Sequence, residues 1–373
     1  MLVPKLRFRE FKEEWNKYKL NNIVTRIIRK NKNNESNLPL TISAQYGLVD
    51  QITFFNKNVS SSDLSNYYLL YNGEFAYNKS YSNGYPWGTV KKLKLYDKGV
   101  LSSLYICFSI NQNMNSDFLE HYFESTKWYY QISQIAVEGA RNHGLLNIAV
   151  DDFFNTKHYF PNIKEQEKIA NFLNLLDKKI ELQQRKIEAL KIYKKGLIQE
   201  LFGFNTFYEK KLEDICNITT GKLDANAMTL NGEYRFYTCA KEYYRINIYA
   251  FDTEALLISG NGAYVGYIHY YKGKFNAYQR TYVLDKFSEN ILYIKYYLDT
   301  FLAKRILAER KEGNTPYIVL NTLAKMPIIF PSSKVQNQIV STLIKFDTKL
   351  DLENKKLDKL HIIKKSLLQQ MFI

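Results

Sequence analysis

Phe160 to Phe202 and Phe330 to Phe372 are two copies of one segment: laid over each other without a gap, they agree at 17 of 43 positions. A chain that carries a long segment twice builds the same thing twice, so the repeat is read before anything else. Each copy opens with Phe-Pro, and proline fixes an extended entry while tolerating a helix start just beyond it. Apolar residues then recur at alternating spacings of four and three. In the first copy the seam is Ile169, Leu173, Leu176, Ile180, Gln183, Ile187, Leu190, Lys194, Leu197 and Leu201. In the second it is Ile339, Leu343, Phe346, Leu350, Glu353, Leu357, Leu360, Lys364, Leu367 and Met371. This is a heptad pattern, and it predicts one long helix per copy, each ~60 Å at 1.5 Å per residue and stiff enough to act as a spacer. Polar residues interrupt both seams at the same two points, Gln183 with Glu353 and Lys194 with Lys364, which penalises slipped registers. Two unrelated amphipathic helices packed on separate cores is the competing reading.

The stretches before the helices echo each other more faintly. KYKLNNI (residues 17–23) resembles EKKLEDI (209–215), GEFAYNKSYSNGY (73–85) resembles TEALLISGNGAYVGY (253–267), and EGARNHGLLNI (138–148) can be laid over EGNTPYIVLNT (312–322). The order is therefore globular unit, long helix, globular unit, long helix. Boundaries fall at 1–160, 161–203, 204–330 and 331–373. Within the globular parts SSLYICFSI and YGYIHYY read as strands, and FLEHYFEST and ILYIKYYLDTFLAKRILAER as helices, giving a mixed α/β (α+β) fold class.

With 46% hydrophobic and 24% charged residues the chain can bury full cores, which excludes a disordered or collagen-like protein. Its apolar runs fall far short of the roughly 18 to 20 residues of a membrane span, and the charged opening MLVPKLRFREFKEEW lacks a signal-peptide core. No membrane association and a cytoplasmic location are expected. Cys107, Cys216 and Cys239 form no CxxC pair, so buried free thiols are expected and not a zinc site. The net charge of +15 is spread over all four segments, so a nucleic-acid partner would meet folded surfaces and not a basic tail.

The phrase P-K-L-R-F with Phe11, Trp15, Lys19-Leu20 and Ile23, then a variable unit, an FP-x-x-K-x-Q helix, a second unit and a second such helix, resembles the specificity subunit of type I restriction-modification systems. The resemblance runs the length of the chain. The family's usual acidic-Gly phrase after Leu20 is Asn21-Asn22 here. The resemblance implies two target-recognition domains, each reading one half of a split double-stranded DNA sequence, joined by two antiparallel helices with pseudo-twofold symmetry. It also implies docking of two methyltransferase subunits, with S-adenosylmethionine bound there and no cofactor in this chain, and separate restriction or motor subunits in the full complex.

Catalytic signatures are missing: there is no NPP[FY], no Gly-rich GK[ST] loop, and the Gly260, Gly262 and Gly266 spacing precedes a strand where a dinucleotide site needs a helix. His121, His143, His158, His269 and His361 stand singly, arguing against a metal site or triad. A non-catalytic DNA reader is expected, with a coiled-coil adaptor carrying two protein-binding heads as the alternative. The candidate DNA contacts lie in polar loops. Lys79, Ser80, Tyr81, Asn83 and Trp87, with Lys91 and Lys92 for phosphate, form one set; Arg141, Asn142 and His143 form a second. Ser259, Asn261 and Tyr264, with Gln279, Arg280 and Thr281, form the third. Arg, Asn and Gln can pair bidentately with purine edges, whereas Lys mostly neutralises phosphate.

Overall fold

The computed structural model describes residues 2–57, 60–61, 63–136, 144, 146–203, 208–309 and 317–373. The chain forms two compact units, Met1–Arg185 with Lys355–Ile373, and Lys186–Asn354. These limits differ from the boundaries read off the repeat, because both long helices, Ile163–Leu201 and Ser333–Gln370, are divided between the units. Hydrophobic burial explains the division. Ile169, Leu173, Leu368, Met371 and Phe372 complete the first core, while Ile198, Leu201, Phe202, Ile339 and Leu343 complete the second.

Each unit is built on four antiparallel strands in the same spatial order. In the first, Val24–Arg26, Ile106–Ile110, Phe75–Asn78 and Thr89–Lys92 lie side by side. In the second the order is Asn217–Thr220, Thr281–Asp285, Phe251–Ser259 and Ile268–Ala277. One sheet face packs on a helix whose start is capped by asparagine. Asn115 Oδ1 accepts the Phe118 amide at 2.9 Å ahead of Ser116–Glu124, and Asn290 Oδ1 accepts the Leu292 and Tyr293 amides at 3.0 and 3.1 Å ahead of Ile291–Glu309. The other face differs. The hairpin Leu40–Ser43/Gly47–Asp50 and the antiparallel strand pair Tyr68–Tyr71/Lys98–Leu101 build a second small core in the first unit. The second unit widens its sheet, adding Tyr234–Tyr237 and Tyr244–Ile246, and its own second small core is formed by Tyr237, Leu257, Phe275 and Val283.

The recurring motifs have a physical role. Asn16–Lys19 pairs antiparallel with Lys157–Phe160, and Tyr208–Lys211 with Pro327–Phe330, so each Phe-Pro ends a strand and starts a long helix. Gln166 Nε2 donates to the Pro161 carbonyl at 2.9 Å and Gln336 Nε2 to Pro331 at 3.1 Å, holding that corner in both units. Leu20 and Leu212 are fully buried, and their amides donate to Thr156 and Met326 at 2.9 and 3.0 Å. Asn21-Asn22 makes the same 3-10 turn as Glu213-Asp214. The P-K-L-R-F phrase is fastened by Arg7, whose guanidinium grips both oxygens of buried Glu165 at 2.7 and 2.8 Å.

Along both long helices every seam position is buried or half-buried. The polar interruptions are electrostatic pins: Lys194 pairs with Asp347 and Lys186 with Glu353 at 2.8 Å in the second unit, so partner numbers fall as residue numbers rise and the helices run antiparallel there. In the first unit Lys364 pairs with Asp177 at 2.6 Å. Among the described residues no helix is long and apolar enough to cross a membrane. The three cysteines are free, and burial pushes the Cys107 thiol up to about 12.

Candidate nucleic-acid interface

In both units a strand of the sheet runs into a polar loop, and a later segment is pinned against that loop by the same backbone contact. The Leu146 amide donates to the Lys79 carbonyl at 2.8 Å, and the Ile318 amide to the Gly260 carbonyl at 2.7 Å. The faint echo between 73–85 and 253–267 is thereby given a register: Phe75 and Tyr77 fill the helix-covered core as Leu256 and Ile258 do, and Lys79 corresponds to Gly260. Both loops need glycine where the chain crosses itself closely. A Cβ on Gly88, whose φ is +76°, would lie 2.1 Å from the Asn78 carbonyl oxygen, and one on Gly260 2.3 Å from that of Arg280.

In the first unit Tyr81 and Asn83 are exposed, and Asn83 sits in a tight turn closed by Ser82 and Tyr85 with Gly84 at φ +83°. Ser80 is half-buried, its amide bonded to Asn78 Oδ1 at 3.0 Å. Trp87 packs half-buried against the core, and its carbonyl accepts the Tyr77 hydroxyl at 2.8 Å. Lys79 turns its ammonium onto the Ile148 carbonyl at 3.3 Å, and burial lowers its pKa. Lys91 is half-buried on the neighbouring strand. Lys92 is a correction: its side chain is 7% exposed and its ammonium is held by Asp117 and by Glu120 at 2.9 Å, so it fastens the strand to the helix and is not offered to phosphate. Arg141, Asn142 and His143 lie outside the described residues.

In the second unit Asn261, Gln279 and Arg280 come together around a depression of about 170 Å³, with Thr220, Tyr282 and Tyr317 completing its wall. Gln279 is oriented by Asp224 at 2.8 Å, Arg280 is exposed, and Tyr264 stands 44% exposed at the rim of its loop. Ser259 and Thr281 are corrections: they face each other in register inside the sheet and are fully buried, because pairing runs from the last residue of one strand to the first of the other. Three amide- or guanidinium-bearing groups and two tyrosines on one concave surface can present donors and acceptors to base edges.

The sequence also missed a charged cluster. His121 does not stand alone: its ring lies 3.7 Å from Glu124 and 4.0 Å from Asp177. These three could hold a metal ion, but the Lys364 ammonium lies 2.7 Å from Glu124 and 2.6 Å from Asp177, placing a cation there already. Burial alone would raise the Glu124 carboxyl, yet its His121 and Lys364 neighbours hold it well below the usual carboxylate range. His158 is buried, and burial pushes its imidazole down to about 3. Its Nδ1 meets the Tyr122 hydroxyl and its Nε2 the Thr156 hydroxyl, both at 2.8 Å.

Residues 205–361 match the family described as the type I restriction modification DNA specificity domain. A Mycoplasma pneumoniae protein named as a type I specificity subunit is 31% identical over 205 residues, covering 50% of this chain and 74% of that one. The chain belongs to the family of type I restriction-modification specificity subunits. Another M. pneumoniae protein named in the same way is 31% identical over 204 residues, 50% of this chain and 82% of its own length. The EcoDI specificity subunit of Escherichia coli is 38% identical over 133 residues, which take in 36% of this chain; the chain spans only 29% of that subunit's length. The fold agrees with that of a Mycoplasma genitalium type I S subunit, at a TM-score of 0.60 and 18% identity over 100% of this chain and 99% of that one. It agrees similarly with a chain from a structural study of type I system assembly and conformational transition, at 0.63 and 15% identity over 97% and 98%. Both candidate loops stand on a shared scaffold, one in each unit.

Proposed function

We propose that this chain is the non-catalytic DNA-reading subunit of a cytoplasmic type I restriction-modification complex, each unit reading one half of a bipartite site. The observation that carries the reading is the pair of loops, 79–88 and 260–266, pinned by the same backbone contact in both units yet bearing different side chains. A common scaffold with different loop chemistry is what two half-sites of different sequence require. The long helices dock the methyltransferase subunits, which bring S-adenosylmethionine and modify adenine. Supporting this, Leu182 and Leu352, and Ile192 and Ile362, occupy matching places in the two repeats and are all more than half exposed, an apolar surface a partner would cover. Restriction subunits would complete the complex.

The test is a domain exchange. Replacing residues 204–330 with the equivalent segment of a related subunit, then mapping methylated adenines in cells that also carry the methyltransferase, should change one half of the motif. A change in both halves sinks the assignment of one unit to one half-site.

A further inference from the structure

Four cations on the second unit lie over aromatic rings and form no ion pair among the described residues: Lys274, 4.7 Å from the Tyr249 ring centroid, and three that sit near the reading loop and its neighbouring strands. The Arg235 guanidinium lies between two tyrosines, 4.4 Å from the Tyr243 ring centroid and 4.3 Å from that of Tyr271, and donates to the Tyr237 hydroxyl at 3.3 Å. Arg245 is its cross-strand partner in the Tyr234–Tyr237/Tyr244–Ile246 pair; its guanidinium lies 5.6 Å from the Tyr243 ring and donates to the Glu233 carbonyl at 3.1 Å. Lys241 sets its ammonium 5.3 Å from the ring of Tyr264, a residue of the candidate reading loop. Lys241, Tyr243 and Arg245 are exposed. The three cations therefore run from the reading loop out along the added strands.

Elsewhere in the chain Lys17 and Lys30 lie over the Tyr159 and Tyr68 rings with no carboxylate partner among the described residues, whereas five other cations over rings are neutralised as well. Arg29, Lys168, Lys194, Lys210 and Lys295 each lie over an aromatic ring and each pair with a carboxylate: Glu74, Glu10, Asp347, Glu289 and Asp299. Arg235, Arg245 and Lys241 keep their charge uncompensated while their side chains are already ordered. A guanidinium clasped between two ring faces keeps its N–H edges outward and in plane, the geometry that meets two oxygens of one phosphate, and little side-chain freedom remains to be lost on binding.

We propose that Arg235, Arg245 and Lys241 form a clamp for the DNA phosphate backbone beside the half-site read by the second unit. The proposal rests on the DNA-reading function above. It commits to phosphate and not to bases: the three lie off the depression of Asn261, Gln279 and Arg280, so they position the duplex and carry no sequence information.

The experiment measures binding of the full chain to a fluorescein-labelled duplex of random sequence by anisotropy, over a range of KCl concentrations. Each lost phosphate contact flattens the plot of log affinity against log salt by about 0.9, so the R235Q/R245Q/K241Q variant should have a slope shallower by roughly 2 to 3. Arg235→Lys should keep the wild-type slope. The double variant R245Q/K241Q alters exposed side chains only, and should flatten the slope by roughly 2 even if removing Arg235 disturbs the strand. The methylated motif should stay as in wild type. If wild type binds with a salt-dependent slope and both variants share it, the clamp is overturned and DNA reading survives. Relaxation of the second half-motif would make these residues base readers and also overturn it. Failure of wild type to bind any duplex would overturn the DNA-reading function, and the clamp with it.

Discussion

Replacing Lys364 with methionine should destabilise the first unit far more than Lys194→Met destabilises the second, although the two lysines occupy the same place in the repeat. The Lys364 ammonium is shared by Glu124 at 2.7 Å and Asp177 at 2.6 Å, with side-chain exposures of 16%, 24% and 37%. Removing one member of a well-buried ion pair costs about 3 to 5 kcal/mol, because the remaining charge is left stranded; partial exposure brings the expected cost here to about 3 kcal/mol. Lys194 meets a single carboxylate, Asp347, which is 41% exposed and also accepts the Tyr296 hydroxyl at 2.8 Å, so its loss should cost about 1 kcal/mol. Trp15, Trp87 and Trp128 all lie in the first unit, so tryptophan fluorescence reports its urea unfolding selectively. At a slope of about 2 to 3 kcal/mol/M the midpoint should fall by about 1 M in Lys364→Met. The Glu124 carboxyl titrates lower in the folded chain than unfolded, so its stabilisation is present above the unfolded carboxylate range and lost as pH falls below it. The difference between wild type and variant should therefore shrink below about pH 4.5. A fluorescence midpoint in Lys364→Met within about 0.2 M of wild type at neutral pH would refute the reasoning.

Three further outcomes are expected. A fragment ending at Phe202 lacks Leu368, Met371 and Phe372, whose ring lies 5.3 Å from Phe118 and 5.7 Å from Tyr122; a second copy can supply Ile198, Leu201 and Phe202 at the repeated positions, so the fragment should sediment as a dimer, and a folded monomer at high concentration would count against the seam. His158 titrates at about 3 when folded and near 6.5 when unfolded, so its contribution is complete above pH 6.5 and lost as pH falls toward 3; His158→Gln should flatten that acid sensitivity, worth roughly 5 kcal/mol, and an unchanged profile would exclude His158 as its source. Gly88→Ala should cost about 2 kcal/mol or more in the fluorescence transition, since its Cβ meets the Asn78 carbonyl at a positive φ; a neutral result would show that the loop relaxes.

The sequence by itself determined the architecture that repeats. Heptad spacing is a local property, so the seams from Ile169 to Leu201 and from Ile339 to Met371 could be placed before any contact was known, and the lysine that interrupts each proved to be ion-paired. Phe-Pro and the glutamine five residues after the proline were visible as letters, although their bond at the corner was not. The site was legible only as loops. Asn261 lies on one loop and Gln279 with Arg280 on another, and only strand pairing brings them around one depression. Strand pairing likewise withdrew Ser259 and Thr281 from the surface, because residues facing each other at the end of a ladder read as loop residues until the register is known. Lys92 looked like a free cation until Asp117 and Glu120 arrived from a helix more than twenty residues away. His121 reads as standing singly in the sequence, and Arg235 passes unnoticed there, for the same reason. A cluster on several elements leaves no spacing in the sequence, since the distance that matters is set by packing and not by the chain.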